Sequence, residues 1–284
     1  MFRSLLCALL VLGLAGCTGL FLQPESGHRW DPATAGIAYE DVWLESADGV
    51  ALHAWLLPVE ESEVRGQVLF LHGNAENIST HLASVYWLPE HGYEVLLLDY
   101  RGFGLSEGSA DVSGIHRDSE AALRWLLGRG ADYGLPTILL GQSLGGAVAL
   151  TVAAESELGS DLAGVVADSA FSSYRGIARE KFGELWLTWP LQWPLSLTIS
   201  NRYSPLTRVH RIAPVPLLLI AGEDDWIVPP HHSQRLHDAA NDPSELWLLP
   251  QTGHIQSFND AQTRARFVDW LDHAREGASG SDAL

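Results

Sequence analysis

Residues 136–150 read PTILLGQSLGGAVAL, and this stretch decides the fold. Its first seven residues are a short apolar run typical of a strand buried on both faces, and small apolar residues typical of a packed helix follow. Ser143 therefore lies on a sharp turn between a strand and a helix. Gly141 and Gly145 stand two residues before and two after it, where any side chain would collide with neighbouring backbone.

A turn of this kind presents a serine hydroxyl at the edge of a sheet, and the helix N-terminus places positive partial charge beside it. Ser143 is therefore a candidate nucleophile. The alternative interpretation is structural, because glycines also allow a helix to pack closely on a strand. A serine nucleophile needs a base and an orienting acid, so the nucleophile interpretation requires both of them later in the chain.

Composition limits the classes of function. The chain has 284 residues, 46% of them hydrophobic, enough to bury the core of one large α/β domain or two small ones. The formal net charge is −18, and an acidic chain lacks the basic surface that binds nucleic acid, so no nucleic-acid partner is expected. The same charge argues against simple electrostatic adhesion to an anionic membrane.

The N-terminus differs from everything after it. Residues 1–16 combine one cation with a short apolar run, the pattern of a secretory signal peptide. The run ends in LAGC, which resembles the lipobox of bacterial lipoproteins, so we expect lipidation of Cys17 and attachment to a membrane. Thr18 rather than aspartate follows, which implies the bacterial cell envelope, at the outer membrane facing the periplasm. An uncleaved anchor over residues 5–22 is the alternative.

The few cysteines and the histidine spacing predict a domain without metal or disulfide. Cys7 would leave with the signal peptide and Cys17 would carry lipid, which leaves no thiol in the mature domain. No zinc-ligand spacing occurs, and His231-His232 is expected to be a solvated helix start. We therefore expect neither a metal nor an organic cofactor.

Strands and helices alternate through the rest of the chain. Two strand patterns flank Asp48-Gly49, the signature of an opening β-hairpin. Six short apolar runs then predict strands buried on both faces: 67–72, 94–100, 136–142, 163–169, 215–222 and 245–250. With amphipathic helices between them, these runs predict an α/β fold with an open, doubly wound, mostly parallel sheet of about eight strands.

The domain boundaries are expected to follow composition. Residues 37–276 would form one domain, the polar residues 17–36 a tether between lipid and fold, and residues 277–284 a disordered tail. Residues 171–214 carry no strand pattern and would form a Trp-rich cap insertion between strands 6 and 7. We expect its tryptophans either to line a substrate pocket over the serine or only to pack the cap onto the sheet: Trp186, Trp189 and Trp193.

Residues that complete a serine hydrolase follow two later strands. The run 215–222 precedes Glu223, Asp224 and Asp225, and the run 245–250 precedes His254. Both lie at carboxyl ends of strands, where an open α/β sheet gathers its site, and the order serine, acid, histidine is that of nucleophile-elbow hydrolases. His254 is the candidate base, and the residues alone leave the three acids open.

With these residues the chain resembles the α/β-hydrolase family over nearly the whole predicted domain, which implies the α/β-hydrolase fold. Residues 222–229 match the family's acid motif G-x-x-D-x-x-V-P and select Asp225. The resemblance thus implies a catalytic triad of Ser143, Asp225 and His254. Some members carry the acid after the preceding strand, where this chain has Asp168.

Two further segments carry the resemblance. HGNAENIS, starting at residue 72, is similar to the loop that supplies half of the oxyanion hole, which implies that Asn74 and Leu144 donate their backbone N–H groups. Glu76 replaces the second glycine of the usual H-G-N-A-G-N and puts a carboxylate near the site. DYRGFGLSEG is similar to a family segment in which Asp99 and Arg101 form a structural ion pair and turn. Together the two segments resemble the Bem46-like branch of small serine hydrolases.

The resemblance implies hydrolysis of carboxylic esters or thioesters through an acyl-enzyme. The expected substrates are a small acyl ester, a lipid or an acylated protein, since a membrane-tethered enzyme would meet them there. Amide hydrolysis or acyl transfer by the same triad is one alternative. A non-catalytic binding module, tethered to the envelope, is the other.

Overall fold

The computed structural model describes residues 22–60, 63–131, 133–184 and 186–281, with side chains described as far as Glu276. The expected signal peptide and Cys17 lie outside the described residues. The main sheet has eight strands: β1 (Glu40–Glu45), β2 (Ala51–Leu57), β3 (Gly66–Leu71), β4 (Tyr93–Leu98), β5 (Thr137–Gln142), β6 (Gly164–Asp168), β7 (Leu217–Gly222) and β8 (Ser244–Leu249).

The strand order across the sheet is β8-β7-β6-β5-β3-β4-β2-β1. Strands β3 to β8 pair in parallel, and β2 is antiparallel to both β1 and β4. The β1–β2 hairpin turns at Asp48-Gly49, where Gly49 has φ 84°, as the D-G signal predicts. The predicted doubly wound, mostly parallel sheet of the α/β-hydrolase fold is confirmed.

Burial explains why the strand runs lack alternation. Every residue of β3 to β7 is buried, whereas the edge strands β1 and β8 are partly exposed. Apolar clusters cover both faces of the sheet. The helices are α1 (Ile78–His81), α2 (Val112–Ala131), α3 (Leu144–Glu155), α4 (Tyr174–Glu184), α5 (Gln192–Leu197), α6 (His231–Ala239) and α7 (Ala261–Ser281).

The helices divide between the two faces, which makes the sheet doubly wound. Helices α2 and α3 contribute Ile115 and Val148 to the cluster on one face, whereas α7 contributes Phe267 and Leu271 to the other. Helices α4 and α5 lie in the insertion between β6 and β7, where the cap is predicted. Within the described residues, no helix has the length and apolar character to cross a bilayer.

Two expected boundaries differ from the structure. Residues 22–36, assigned above to the tether, pack on the domain: Leu22 is buried in the core, and residues 23–24 pair in parallel with residues 75–76. Polar groups of these residues form hydrogen bonds with backbone carbonyls and a carboxylate of the domain. Helix α7 continues to Ser281, into the tail expected to be disordered, because a helix already formed adds residues at little cost.

Candidate active site

Ser143 lies on a strained turn between β5 and α3. Its φ and ψ are 54° and −114°, a left-handed φ that is unusual for a residue with a side chain. A Cβ on Gly141 would lie 2.1 Å from the carbonyl oxygen of Gly145, and one on Gly145 would lie 2.0 Å from the carbonyl oxygen of Leu71. Both contacts are with backbone, so glycine is required at both positions.

The structure brings the three predicted triad residues together from three loops at the carboxyl edge of the sheet. His254 Nε2 lies 3.0 Å from Ser143 Oγ, and His254 Nδ1 lies 2.7 Å from Asp225 Oδ2. The residues are 111 and 29 positions apart in sequence. This geometry lets the imidazole accept the serine proton on one nitrogen while the other nitrogen donates to the carboxylate.

Local backbone fixes the orientation of Asp225. Its Oδ1 accepts hydrogen bonds from the backbone N–H groups of Ile227 and Val228, at 2.9 and 2.8 Å. Its other oxygen is thereby aimed at the histidine. Glu223 and Asp224 are exposed, so Asp225 is the acid of the three that faces the site.

Asp168, the alternative acid, is buried behind the triad. It accepts hydrogen bonds from Gln142 Nε2 at 2.9 Å and from Ser257 Oγ at 2.7 Å. Burial raises the pKa of its carboxyl group, and those hydrogen bonds work in the opposite direction. Its neighbour Ser169 accepts a hydrogen bond from the backbone N–H of Ile255 at 3.2 Å. The pair therefore holds the loop that carries His254, a role that sequence alone does not reveal.

The predicted oxyanion-hole residues flank the serine. Leu144 begins α3, where a backbone N–H has no acceptor within the helix. A Cβ on Gly73 would lie 3.7 Å from Ser143 Cβ, so the loop holding Asn74 runs beside the serine. Burial lowers the pKa of His72 to about 3, and its ring bonds the Gly73 carbonyl at 2.8 Å. His72 therefore shapes this loop as a neutral side chain.

The N-terminal segment, residues 22–29, holds the outer side of the same loop. The backbone N–H of Gln23 donates to the Asn74 carbonyl at 3.2 Å, and that of Glu25 donates to the Glu76 carbonyl at 3.3 Å. The buried side chain of Asn77 donates to the carbonyls of Glu25 and Gly27. Sequence reasoning missed this contact, because a polar stretch with Pro and Gly has the composition of a linker.

Asp99 and Arg101 do not form the expected ion pair with each other. Asp99 accepts hydrogen bonds from His28 Nε2 at 2.7 Å and from the backbone N–H of Ile78 at 3.1 Å. Burial opposes its ionisation, but the histidines around it hold its pKa well below the usual range. Arg101 instead pairs with Asp118 and Asp48, at 2.7 and 2.8 Å. Asp99 therefore holds the N-terminal residues, whereas Arg101 joins the β1–β2 turn to α2.

The cap tryptophans are turned toward solvent. The exposed fractions of Trp186, Trp189 and Trp193 are 86%, 60% and 64%. They therefore do not pack the cap onto the sheet, the second of the two expectations. Arg179, which lies in α4, is 4.4 Å from the ring centre of Trp193, so a cation stacks against that ring. Whether any of the three contacts a substrate stays a prediction.

Two clusters of histidine and carboxylate in the described part of the chain bring their ligand atoms within 4.8 Å of one another, close enough to hold a metal ion. They are His28, His53 and Asp99, and Glu180, His231 and His232. The pair His231-His232 does begin α6, but His232 is fully buried rather than solvated. Its Nδ1 accepts the backbone N–H of Ser172, which replaces the lost hydrogen bond to water. Its Nε2 then carries the proton and donates to Glu180 at 3.1 Å.

Comparison with known proteins agrees with the fold. The family model described as serine aminopeptidase, S33, matches residues 62–205. The chain is 32% identical over 239 residues to YfhR of Escherichia coli strain K12, covering 82% of this chain and 80% of YfhR. It is 34% identical over 240 residues to WAV2 of Arabidopsis thaliana, named as an alpha/beta hydrolase domain-containing protein, covering 80% of this chain and 76% of WAV2.

A solved structure extends the comparison to nearly the whole domain. The esterase Pf2001 of Pyrococcus furiosus superposes with a TM-score of 0.68 at 25% identity, covering 88% of this chain and 98% of Pf2001. The family model, the relatives above 30% identity and the fold all point to one family. The chain belongs to the α/β-hydrolase family.

Proposed function

We propose that this protein is a serine hydrolase that cleaves carboxylic esters or thioesters through an acyl-enzyme. The observation that carries the proposal is the continuous hydrogen-bond chain from Ser143 Oγ through the His254 ring to Asp225. A serine hydroxyl attacks a carbonyl only when a base removes its proton, and this chain supplies the base and orients it.

The reaction follows from the positions of these groups. Ser143 Oγ attacks the acyl carbonyl while His254 Nε2 takes the serine proton and Asp225 stabilises the imidazolium. The backbone N–H groups of Asn74 and Leu144 bind the oxyanion of the tetrahedral intermediate, and each such donor lowers the barrier by about 3–4 kcal/mol. His254 then protonates the leaving group. Water, activated by the same histidine, releases the acid and regenerates the serine.

We propose hydrolysis of esters or thioesters ahead of hydrolysis of amides because an esterase is among the structural neighbours. The matched family model takes its description from an aminopeptidase, so amide hydrolysis by the same triad is the second candidate. The two chemistries differ in leaving group and share every residue named above. Substrates of both kinds are therefore needed in the test.

The test combines active-site labelling with a substrate series. A fluorophosphonate probe should label Ser143 in the wild-type protein and leave Ser143→Ala unlabelled. The same variant should lose at least about 10³-fold in kcat on p-nitrophenyl esters. Rates are compared for acetate to palmitate esters, matching thioesters and aminoacyl p-nitroanilides. Full activity in Ser143→Ala would remove the serine from the mechanism, and turnover of anilides alone would select the amide function.

We further propose that Cys17 carries lipid and holds the enzyme on the outer membrane, where it meets acyl lipids or acylated proteins. The lipobox-like sequence LAGC supports this assignment. Cells grown with a palmitate analogue should label the wild-type protein and leave Cys17→Ala unlabelled. Loss of label in Cys7→Ala instead, or no label in either protein, would overturn it.

A further inference from the structure

The cap exposes a set of large apolar side chains that no other part of the described chain covers. We call it the cap tryptophan surface, and it continues onto Trp226, the residue directly after the triad acid. Trp186 and Trp226 are 86% and 75% exposed. Large exposed apolar patches on a soluble domain mark sites of interaction. The surface comprises Trp186, Leu187, Trp189, Leu191, Trp193, Leu197 and Trp226.

The charge of the cap is opposite to that of the protein. Residues 171–214 contain six Lys and Arg residues and two Glu residues, a net charge of +4, whereas the whole chain carries −18. Cations also stand beside the exposed rings: Arg179 lies 4.4 Å from the ring centre of Trp193, and Lys181 lies 5.9 Å from that of Trp226. Tryptophan beside Arg and Lys is the composition of surfaces that rest in a lipid headgroup layer.

The course of the chain gives this surface an orientation. The described chain begins at Leu22, beside the oxyanion loop, at the carboxyl edge of the sheet. The cap follows β6 at that same edge. The cap and the oxyanion loop therefore lie at one and the same edge of the sheet.

We propose that the cap tryptophan surface docks on a phospholipid bilayer that contains anionic lipid. The rings enter the headgroup layer and the neighbouring cations meet the lipid phosphates. The net charge of the whole chain argues against such a contact, but the charge of the cap itself is positive. Docking turns the mouth of the active site toward the bilayer. The contact rests on the cap alone, so it stands apart from both the triad and the lipidation of Cys17.

The test measures sedimentation with vesicles of the chain starting at Thr18, which contains every described strand and helix and no lipid anchor. We expect co-sedimentation with vesicles in which about a third of the lipid is phosphatidylglycerol, and weaker binding to pure phosphatidylcholine. The double variant Trp186→Ala/Trp189→Ala should bind about tenfold or more weakly. About 0.5 M NaCl should weaken wild-type binding, since it screens the cations.

Trp43→Ala is the matched control, because Trp43 is 56% exposed on the edge strand β1, remote in the sheet order from the cap. It should leave binding unchanged. Thermal unfolding midpoints equal to that of the wild type establish that all variants are folded. No co-sedimentation of the wild type, undiminished binding of the double variant, or equal loss in Trp43→Ala would each overturn the proposal. Equal binding to both kinds of vesicle would overturn the part that anionic lipid plays.

Discussion

Arg29 Nη1 lies 2.7 Å from Glu76 Oε1, which joins the N-terminal segment to the oxyanion loop across 47 residues. Glu76 has φ 66°, a left-handed conformation that costs a residue with a side chain about 1–2 kcal/mol. The family loop has glycine at this position, where the conformation is free of that cost. This chain accepts the strain and gains a carboxylate that Arg29 holds.

Replacing Glu76 separates the strain from the ion pair. Glu76→Ala and Glu76→Gly both remove the contact with Arg29, but only glycine adopts a positive φ without strain. We expect the glycine variant to be more stable than the alanine variant by about 1 kcal/mol, the balance of relieved strain and added flexibility of the unfolded chain. Urea unfolding measures the difference. Equal stabilities, or a less stable glycine variant, would show that the backbone at this position is unstrained.

Removing the N-terminal segment should damage the site while the sheet survives. A chain that starts at Ile37 leaves the buried side chains of Asn77 and Asp99 without partners that they have in the chain starting at Thr18. Each unsatisfied buried polar group costs about 1–3 kcal/mol. We expect a loss of several kcal/mol in urea unfolding and a lower kcat, because the loop holding Asn74 loses its outer support.

A single substitution gives the same information if the truncated chain does not fold. His28→Ala keeps the backbone contacts of the segment and removes the hydrogen bond to Asp99 together with the ring contact with Trp55 at 4.3 Å. It should therefore show a smaller loss of stability in the same direction. If the chain from Ile37 unfolds at the same urea concentration as the chain from Thr18 and turns over esters equally fast, the segment is the simple tether that composition suggests.

The two buried acids near the site should differ in their effect on kcat. Asp225→Asn removes the charge that stabilises imidazolium and disturbs the tautomer of His254, so kcat on p-nitrophenyl acetate should fall by about 10⁴-fold. Asp168 makes no hydrogen bond to His254 within the described structure, so Asp168→Asn should lose far less, about tenfold, through loosening of the Ser257 loop. A reversed order of the two losses would identify Asp168 as the triad acid.

Much of this architecture could be predicted from sequence because it depends on local patterns. Short apolar runs mark the strands buried on both faces, and the positions of Ser143 and His254 after two of those runs place them at one edge of the sheet. Gly141 follows from a local contact, with the Gly145 carbonyl four residues away, whereas the contact that requires Gly145 is with Leu71 of β3 and was predicted from the G-x-S-x-G pattern. Family resemblance, rather than the residues alone, separated Asp225 from its two acidic neighbours.

What the sequence missed depends on pairing between distant segments. The contacts of Gln23 and His28 join residues more than 50 positions apart, and no local pattern encodes which backbone carbonyl a polar linker will find. The direction of the cap tryptophans is equally a tertiary property, since periodicity does not tell an inward from an outward face in so short an insertion. Helix α7 beyond Glu276 differs for another reason: composition underestimates how far a packed helix propagates.

Acid should destabilise the protein in part through His116. This side chain stacks on Tyr203 at a ring distance of 4.2 Å, and burial lowers its pKa to about 4. In the unfolded chain the pKa is about 6.5, so between these values the unfolded state binds more protons. Its contribution to stability is therefore complete above about pH 6.5 and is lost as the pH falls toward 4.

His116→Phe keeps the stacking and removes the titrating group. Between pH 6.5 and 4 the free energy of unfolding of the variant should fall less steeply than that of the wild type, by about 1.4 kcal/mol per pH unit for one proton. Burial lowers the pKa of His53, but Asp99 and Asp41 raise it further, so its pKa lies above the ordinary value. Its effect on the pH dependence of stability is opposite to that of His116. It is the same in both proteins and cancels from the comparison. Parallel pH profiles in urea unfolding would show that His116 is not buried in its neutral form.

The two glycines that permit the serine turn should tolerate substitution far less well than a glycine that has open space around it. A Cβ on Gly145 would lie 2.0 Å from the Leu71 carbonyl oxygen, which belongs to β3 and cannot move without breaking the sheet. Gly145→Ala should therefore lose several kcal/mol of stability, or fail to fold, and abolish labelling of Ser143 by a fluorophosphonate probe.

Gly128 supplies the matched change. It lies in α2, is exposed, and has open space where a Cβ would stand. Alanine is about 1 kcal/mol better than glycine inside a helix, so Gly128→Ala should raise the urea midpoint and leave labelling of Ser143 intact. A loss of stability for Gly145→Ala and a gain for Gly128→Ala are expected only if α3 approaches β3 as closely as it does in the structure. A Gly145→Ala protein that folds and labels normally would therefore contradict the strand–turn–helix geometry from which the assignment of Ser143 begins.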